Sequence, residues 1–291
     1  MGKTALADFV ATFDAETSPW DDYRDGRVLL SNSQLVLAAG KDDKTSISLR
    51  SIFDIRLDTI PQTFDPVPDR SITIAYQDGE RRVVAVVAAD GSTIEKFSTV
   101  LFKTILNGTE VIVKHPARRG GRVTDATFET GRLRLDRGGV QFETDAKTVT
   151  IEPSAVTAFD REARTVNGRD RPMFVVRHMQ NGTALTTIAA TDSARSLSIL
   201  GRYLRRHYDE LMASLQDISL TETEIETLVT IYSTDGASIS LSNVVGTNPA
   251  EVQDLLQSLG RNKLVKPDDD GPALTTKGQV VVNHYMDRVN A

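Results

Sequence analysis

Histidine, the commonest general base, occurs only at His115, His178, His207 and His284, and no two of these are close in the chain. HExxH and zinc-finger spacings are therefore absent. There is no cysteine, which excludes disulfides, thiolate metal sites and a cysteine nucleophile. Asp21-Asp22 and Asp42-Asp43 offer paired carboxylates, but in polar loop sequence, without the apolar surround that raises one pKa for acid catalysis. No Walker A lysine motif, GxGxxG or GxSxG is present. Gly120-Gly121 and Gly138-Gly139 follow no strand-to-helix pattern and are expected to be turns. Nothing in the chain demands a cofactor.

What remains is recognition of charge by charge. Lys114, Arg118, Arg119 and Arg122 crowd the stretch KHPARRGGR. Arg161, Arg164, Arg169 and Arg171 follow, interleaved with Asp160, Glu162 and Asp170. Arg202, Arg205 and Arg206 lie within one helical pattern. The arginine fork can take a carboxylate through two hydrogen bonds, which suits interfaces with acidic groups. Such a basic patch fits an acidic protein partner or a lipid headgroup, and Arg118–Arg122 also fits a linker kept soluble by charge.

The net charge of −6 is unevenly spread: −5 over residues 1–113, +4 over 114–217 and −5 over 218–291. Such asymmetry bears on partner choice and association rate. Asp outnumbers Glu by 27 to 13 and Arg outnumbers Lys by 24 to 10, a bias that salt-adapted proteins share. The longest apolar run, Val83 to Ala89, is far too short for a membrane helix. No apolar leader follows the N-terminus. A soluble, cytoplasmic protein of two or three domains is expected from 291 residues.

The elements that must position these groups repeat at about 100 residues. Val28–Ala38 alternates apolar and polar residues around Asn32-Ser33, and Leu133–Thr144 does so around Gly138-Gly139. Thr45–Ile55 matches Thr148–Phe159. Arg70–Tyr76 meets Arg81–Val87 across Asp78-Gly79, as Met173–His178 meets Ala184–Ala189 across Asn181-Gly182. Such dipeptides are strong hairpin signals because both turn positions need positive φ. Each copy then turns helical, over Thr93–Leu106 and over Ser193–Leu215. Antiparallel strands closed by one helix are the order of a PH-like or GRAM-like β-barrel. Residues 15–110 and 123–215 are expected to share one topology, with a linker around His115–Val123. Trp20, Tyr203 and Tyr208 are expected to pack in cores, and the sequon residues Asn107 and Asn181 to sit in turns.

The last part is different. Thr221 and Glu224 form a capping box. A short apolar element, Ile239–Val245, precedes Asn248-Pro249, an N-cap and first helical position. That helix carries Glu251 and Asp254, no basic residue before its expected C′ glycine, Gly260, and is followed by two short strands around Asp268–Asp270. A final helix covers Lys277–Val289. The order is that of a winged helix, but the carboxylates would repel a phosphate backbone, so a protein-docking role is expected before DNA binding. The expected fold is therefore α+β. It comprises a PH-like domain at 1–113, a second at 114–217 and a winged-helix interaction domain at 218–291.

The segments LADFVATF, RVLLSNSQLVLA, SISLRSIFDI, TETEIETLVTIYSTDGASISLSNVVG, LLQSLGRNKLV and LTTKGQVVV together resemble the archaeal taxis proteins of the CheF family, over nearly the whole chain. The resemblance implies a non-enzymatic adaptor with no catalytic residue. Its implied partners are the response regulator CheY, preferably phosphorylated, the switch-complex proteins of the archaellum motor, and other taxis proteins such as CheC and CheD. A transcription regulator acting through the winged helix is the runner-up, and a membrane-associated scaffold using the PH-like tandem is the third option. On the adaptor reading, Arg202, Arg205 and Arg206 are expected to meet the acidic face of CheY. The competing docking place is the C-terminal segment with Glu251 and Asp254.

Overall fold

The computed structural model describes residues 5–20, 22–67, 69–136, 139–166, 168–234, 249–268 and 271–289. Asp21, Gly138, Ile239–Val245, Asn248, Asp269 and Asp270, used in the sequence reading, lie outside the described residues. The chain divides into two compact units. One holds Met1–Glu110, Arg132–Arg137 and Thr191–Arg206; the other holds Val111–Gly131, Gly138–Ala190 and His207–Ala291.

In the first unit the segment LADFVATF does not merely precede the sheet. It forms β1 (Ala7–Ala15), whose alternation buries Ala11, Phe13 and Ala15. β1 pairs antiparallel with both β2 (Arg24–Leu30) and β7 (Arg81–Ala89). With β3 (Gln34–Ala38), β4 (Lys44–Ser48), β5 (Ile52–Leu57) and β6 (Arg70–Asp78), the order is β4-β3-β2-β1-β7-β6-β5. This is a four-stranded and a three-stranded meander joined through β1 and β7. The order is open, with β4 and β5 at its edges, so it is an antiparallel sheet where a closed barrel was expected. Asp90 caps α1 (Gly91–Leu106) by accepting the Ser92 and Thr93 N–H groups at 3.1 Å. The helix buries Ile94, Phe97, Leu101, Phe102 and Leu106, each worth roughly 1.5–3 kcal/mol relative to exposure.

The second sheet repeats the first. Its strands are β8 (Glu110–Arg119), β10 (Glu129–Asp136), β11 (Gly139–Thr144), β12 (Thr148–Ile151), β13 (Val156–Val166), β14 (Arg169–Gln180) and β15 (Thr183–Thr191). Their order is β12-β11-β10-β8-β15-β14-β13, which matches the first sheet strand for strand; β9 (Arg122–Val123) is an addition paired with β8. A detail of the register repeats too. A Cβ on Gly26 would lie 2.3 Å from the Ala38 carbonyl oxygen, and one on Gly131 would lie 2.4 Å from that of Glu143. Each glycine sits twelve residues before the carbonyl it faces, and no other residue leaves room for that approach. The expected linker around His115–Val123 is corrected by this sheet. Most of it is the end of β8, an interior strand that buries Val111, Val113 and Ala117. Pro116 disguised it, because proline argues against an interior strand.

After Thr191 the described residues form four helices and one short hairpin. α2 (Ala194–Ala213) is capped by Ser193 Oγ, which accepts the Ser196 N–H at 3.1 Å. α3 (Glu222–Thr234), α4 (Pro249–Arg261) and α5 (Thr276–Val289) follow, with β16 (Val265–Asp268) paired to β17 (Gly271–Leu274). These are five helices among the described residues. The capping box forms as expected: the Thr221 N–H donates to Glu224 Oε2 at 2.9 Å and the Glu224 N–H to Thr221 Oγ1 at 3.2 Å. Gly260, however, stays inside α4. The left-handed residue is Lys263, φ 58°, with its N–H on the Gly260 oxygen and the Leu264 N–H on the Leu259 oxygen, both 2.9 Å. That is a Schellman ending, completed by Leu259 and Leu264 in one core. Leu228, Ile231, Leu274 and Val282 fill the same core.

Candidate interaction surface

The arginines of α2 were expected on an open face. Arg195, Arg202 and Arg206 do share a face, being spaced by seven and four residues, and all three are bound within the first unit. Arg195 Nη2 donates to the Leu49 oxygen at 2.5 Å and its Nε to the Ile52 oxygen. Those carbonyls flank the corner between β4 and β5. Arg202 grips Asp54 with Nε–Oδ1 at 2.6 Å and Nη2–Oδ2 at 3.0 Å. Arg206 Nη1 donates to Ser98 Oγ on α1 at 2.9 Å. Burial would raise the Asp54 carboxyl, but the hydrogen bonds and charges of Arg202 and Arg56 outweigh it and hold the group below the usual range. Tyr203 meets Phe102 edge-on at 5.6 Å in the same seam. These residues fasten α2, while Arg205 is exposed.

Glu251 and Asp254 are exposed on α4. Asp268, at the end of β16, lies against the turn between β14 and β15, with Oδ2 3.2 Å from where a Cβ on Gly182 would be. Two basic residues of the β13–β14 hairpin are paired with acids, while Arg161 is exposed. Arg164 reaches Glu162 at 2.6 Å and Arg177 reaches Asp160 at 3.6 Å. The side chain of Arg169 lies outside the described residues. Arg118, Arg119 and Arg122 are exposed around the β8–β9 turn. Asp22 and Asp43, taken from the two carboxylate pairs, share with Asp25, Arg24 and Trp20 a hollow of about 500 Å³. It is open and polar, and lacks the enclosure that acid catalysis needs.

Sequence reasoning missed a histidine pair, His178 buried and His115 half-buried. His115 Nδ1 and His178 Nε2 both hydrogen-bond Thr187 Oγ1, at 2.8 and 3.0 Å, and the rings stack with centroids 5.8 Å apart. Burial pushes both imidazoles down to about 4. The charges of Lys147 and Arg119 add to the effect at His115, and that of His115 adds to it at His178. Both are neutral near pH 7, so one hydroxyl can donate to one ring and accept from the other. Counted from the hairpin turns, His178 holds the place of Tyr76: each stands two residues before the last paired residue of its strand. Tyr76 Oη makes its own hydrogen bond to Thr17 Oγ1 at 2.6 Å. That register match is the one signal that could have marked His178 as a core residue.

The geometry is that of charged surfaces on a repeated antiparallel scaffold. The family model described as Archaeal Chemotaxis signal transduction system protein F matches residues 5–210. The chain belongs to this family. The match takes in both sheets, α1 and nearly all of α2. Taxis protein CheF2 of Halobacterium salinarum (strain ATCC 29341 / DSM 671 / R1) is 43% identical over 290 residues, covering 100% of both chains. Taxis protein CheF1 of the same strain is 31% identical over 238 residues, 80% of this chain and 78% of that one. The chain beyond residue 210 thus lies outside the family model but inside the match to CheF2. Membership of the CheF family places the chain in archaeal chemotaxis signalling. No helix among the described residues is long and apolar enough to cross a membrane.

Proposed function

We propose that this member of the CheF family is a non-enzymatic cytoplasmic adaptor. It binds the response regulator CheY, preferably phosphorylated, and passes that state to the switch complex of the archaellum motor. CheC and CheD are further candidate partners. The observation that carries the reading is the full-length match to a taxis protein on a scaffold whose exposed charged groups differ in sign, basic at the β8–β9 turn and acidic on α4. We take each sheet with its helix as a PH-like module, at 1–113 and 114–217, and residues 218–291 as a winged-helix docking module. Arg205, Glu251 and Asp254 are then the expected partner residues that stand exposed, whereas Arg202 and Arg206 act by holding α2 in place.

The transcription-regulator alternative has little support, since Glu251 and Asp254 face outward from the helix that would read DNA. The test is affinity capture of the tagged full-length chain from the cell of origin. CheY and the archaellum switch proteins should be recovered together, with CheY enriched when its kinase is active. Recovery of neither, or nanomolar binding of the pure chain to a defined duplex at moderate salt, would overturn the adaptor reading.

A further inference from the structure

The β8–β9 hairpin stands apart from the other basic elements. Its two central residues, Gly120 and Gly121, have φ 52° and 77°, the positive pair that a two-residue type I′ turn requires. The register sets Arg119 directly opposite Arg122, and Arg118 opposite Val123. Like charges directly opposed across strands are destabilising, and an acidic group seated against the pair would relieve that repulsion. None of these three arginines makes a salt bridge or side-chain hydrogen bond among the described residues. The nearby Lys147 is already used: its Nζ donates to the His115 oxygen at 2.8 Å and pairs with Glu129 at 3.5 Å. Asp125, two residues beyond Val123, is exposed and makes no ion pair among the described residues.

The ribbon is held from below. The Gly120 N–H donates to the Ala184 oxygen at 2.9 Å and the Thr124 N–H to the Ala117 oxygen at 3.2 Å, while Thr124 Oγ1 donates to the Pro116 oxygen. A fixed ribbon loses little entropy when its side chains are engaged. Val123 is 72% exposed in the middle of the cluster. Arginine beside an exposed apolar side chain is the chemistry of a protein interface, where arginine anchors are enriched.

We propose that the β8–β9 hairpin, through Arg118, Arg119 and Arg122 around Val123, docks an acidic surface of a protein partner. The proposal rests on the adaptor reading insofar as the partner is a protein. A membrane or a nucleic acid fits less well. The chain carries −6 overall, and a membrane or nucleic acid would bring its charge against much of that acidic surface, whereas a local patch meets only the hairpin within a screening length of about 10 Å.

The test uses the full chain and three probes: purified CheY in its phosphoryl-mimic form, a soluble polyglutamate peptide, and vesicles of anionic lipid. The variants are the triple reversal Arg118→Glu, Arg119→Glu, Arg122→Glu and the neutral triple Arg118→Gln, Arg119→Gln, Arg122→Gln, each checked for native circular dichroism. CheY and polyglutamate should both bind about tenfold or more weaker to the reversal and by an intermediate factor to the neutral variant. If CheY binds wild type and both variants equally, the hairpin proposal is overturned and the adaptor reading survives. Should CheY fail to bind any form while polyglutamate still discriminates the variants, the adaptor reading fails and the hairpin stands as an acid-binding site. Vesicle binding that is lost on reversal, with polyglutamate indifferent, overturns the proposal in favour of a lipid surface.

Discussion

Arg202 of α2 and Asp54 of β5, 148 residues apart in sequence, are joined by two nearly parallel hydrogen bonds of 2.6 and 3.0 Å. Asp54 is 16% exposed and Arg202 35%, so the pair is shielded enough to contribute and open enough to keep partial hydration. Arg56 Nε also reaches Asp54 Oδ2 at 3.0 Å, which makes the carboxylate the hub of a small network.

Removing the hub should therefore cost more than removing one spoke. Asp54→Ala is expected to destabilise the chain by about 2 kcal/mol and Arg202→Ala by about 1 kcal/mol, since Asp54 keeps Arg56 in the second case. The two losses should not add; a coupling of roughly 0.5 kcal/mol or more is expected in a double-mutant cycle read from urea midpoints. Strict additivity would mean that the pair contributes nothing.

Stability should also fall with mild acid. His115 and His178 have folded pKa values of about 4 against 6.5 for an open imidazole. Below pH 6.5 the unfolded chain takes up protons that the folded chain refuses, so stability declines as pH drops from 6.5 to about 4 and then levels off for these groups. At pH 5 the loss from His178 alone is about 2 kcal/mol. The sign for Asp54 is different in origin: its lowered pKa contributes stability above the unfolded value of 3.8, and that contribution is lost at still lower pH. Urea midpoints at pH 7 and pH 5 check this. The His178→Phe variant should show a shallower dependence than wild type; an unchanged slope contradicts the assignment.

These features show where the sequence was informative. Turns and helices were legible because their signals are local. Asn181-Gly182 is the turn between β14 and β15, with positive φ at both residues, whereas Asp78 pairs with Arg81 and the first turn falls one residue later, at Gly79-Glu80, with positive φ at Gly79. Ile94, Phe97 and Leu101 mark the buried face of α1. The 100-residue repeat was legible for the same reason. Arg202 was not, because an arginine on a helix face has the same local pattern whether it meets solvent or an aspartate 148 residues away. His115 and His178 were not either, since their meeting point, Thr187, is brought to them only by strand pairing. The β8 strand was hidden by Pro116, and the true end of α4 by Gly260, which drew attention from Lys263.

That helix end gives a local prediction. Lys263 holds φ 58°, where a side chain costs about 1 kcal/mol and glycine costs little. Lys263→Gly should raise stability by roughly 0.5–1 kcal/mol, whereas Gly260→Ala, inside the helix with nothing within 4 Å of its Cβ position, should also stabilise by a similar amount. Thermal midpoints check both. A loss in Lys263→Gly would show that the lysine side chain matters more than its backbone.

The central claim is that the chain reports the phosphorylation state of CheY. Isothermal titration of purified CheY into the full-length chain, with and without beryllofluoride as the phosphoryl mimic, tests it most directly. The account predicts tighter binding of the mimic form by about tenfold or more, a coupling of at least 1.4 kcal/mol, weakening as salt rises because basic and acidic surfaces meet. Equal affinity for the two forms, or no binding of either, would contradict it.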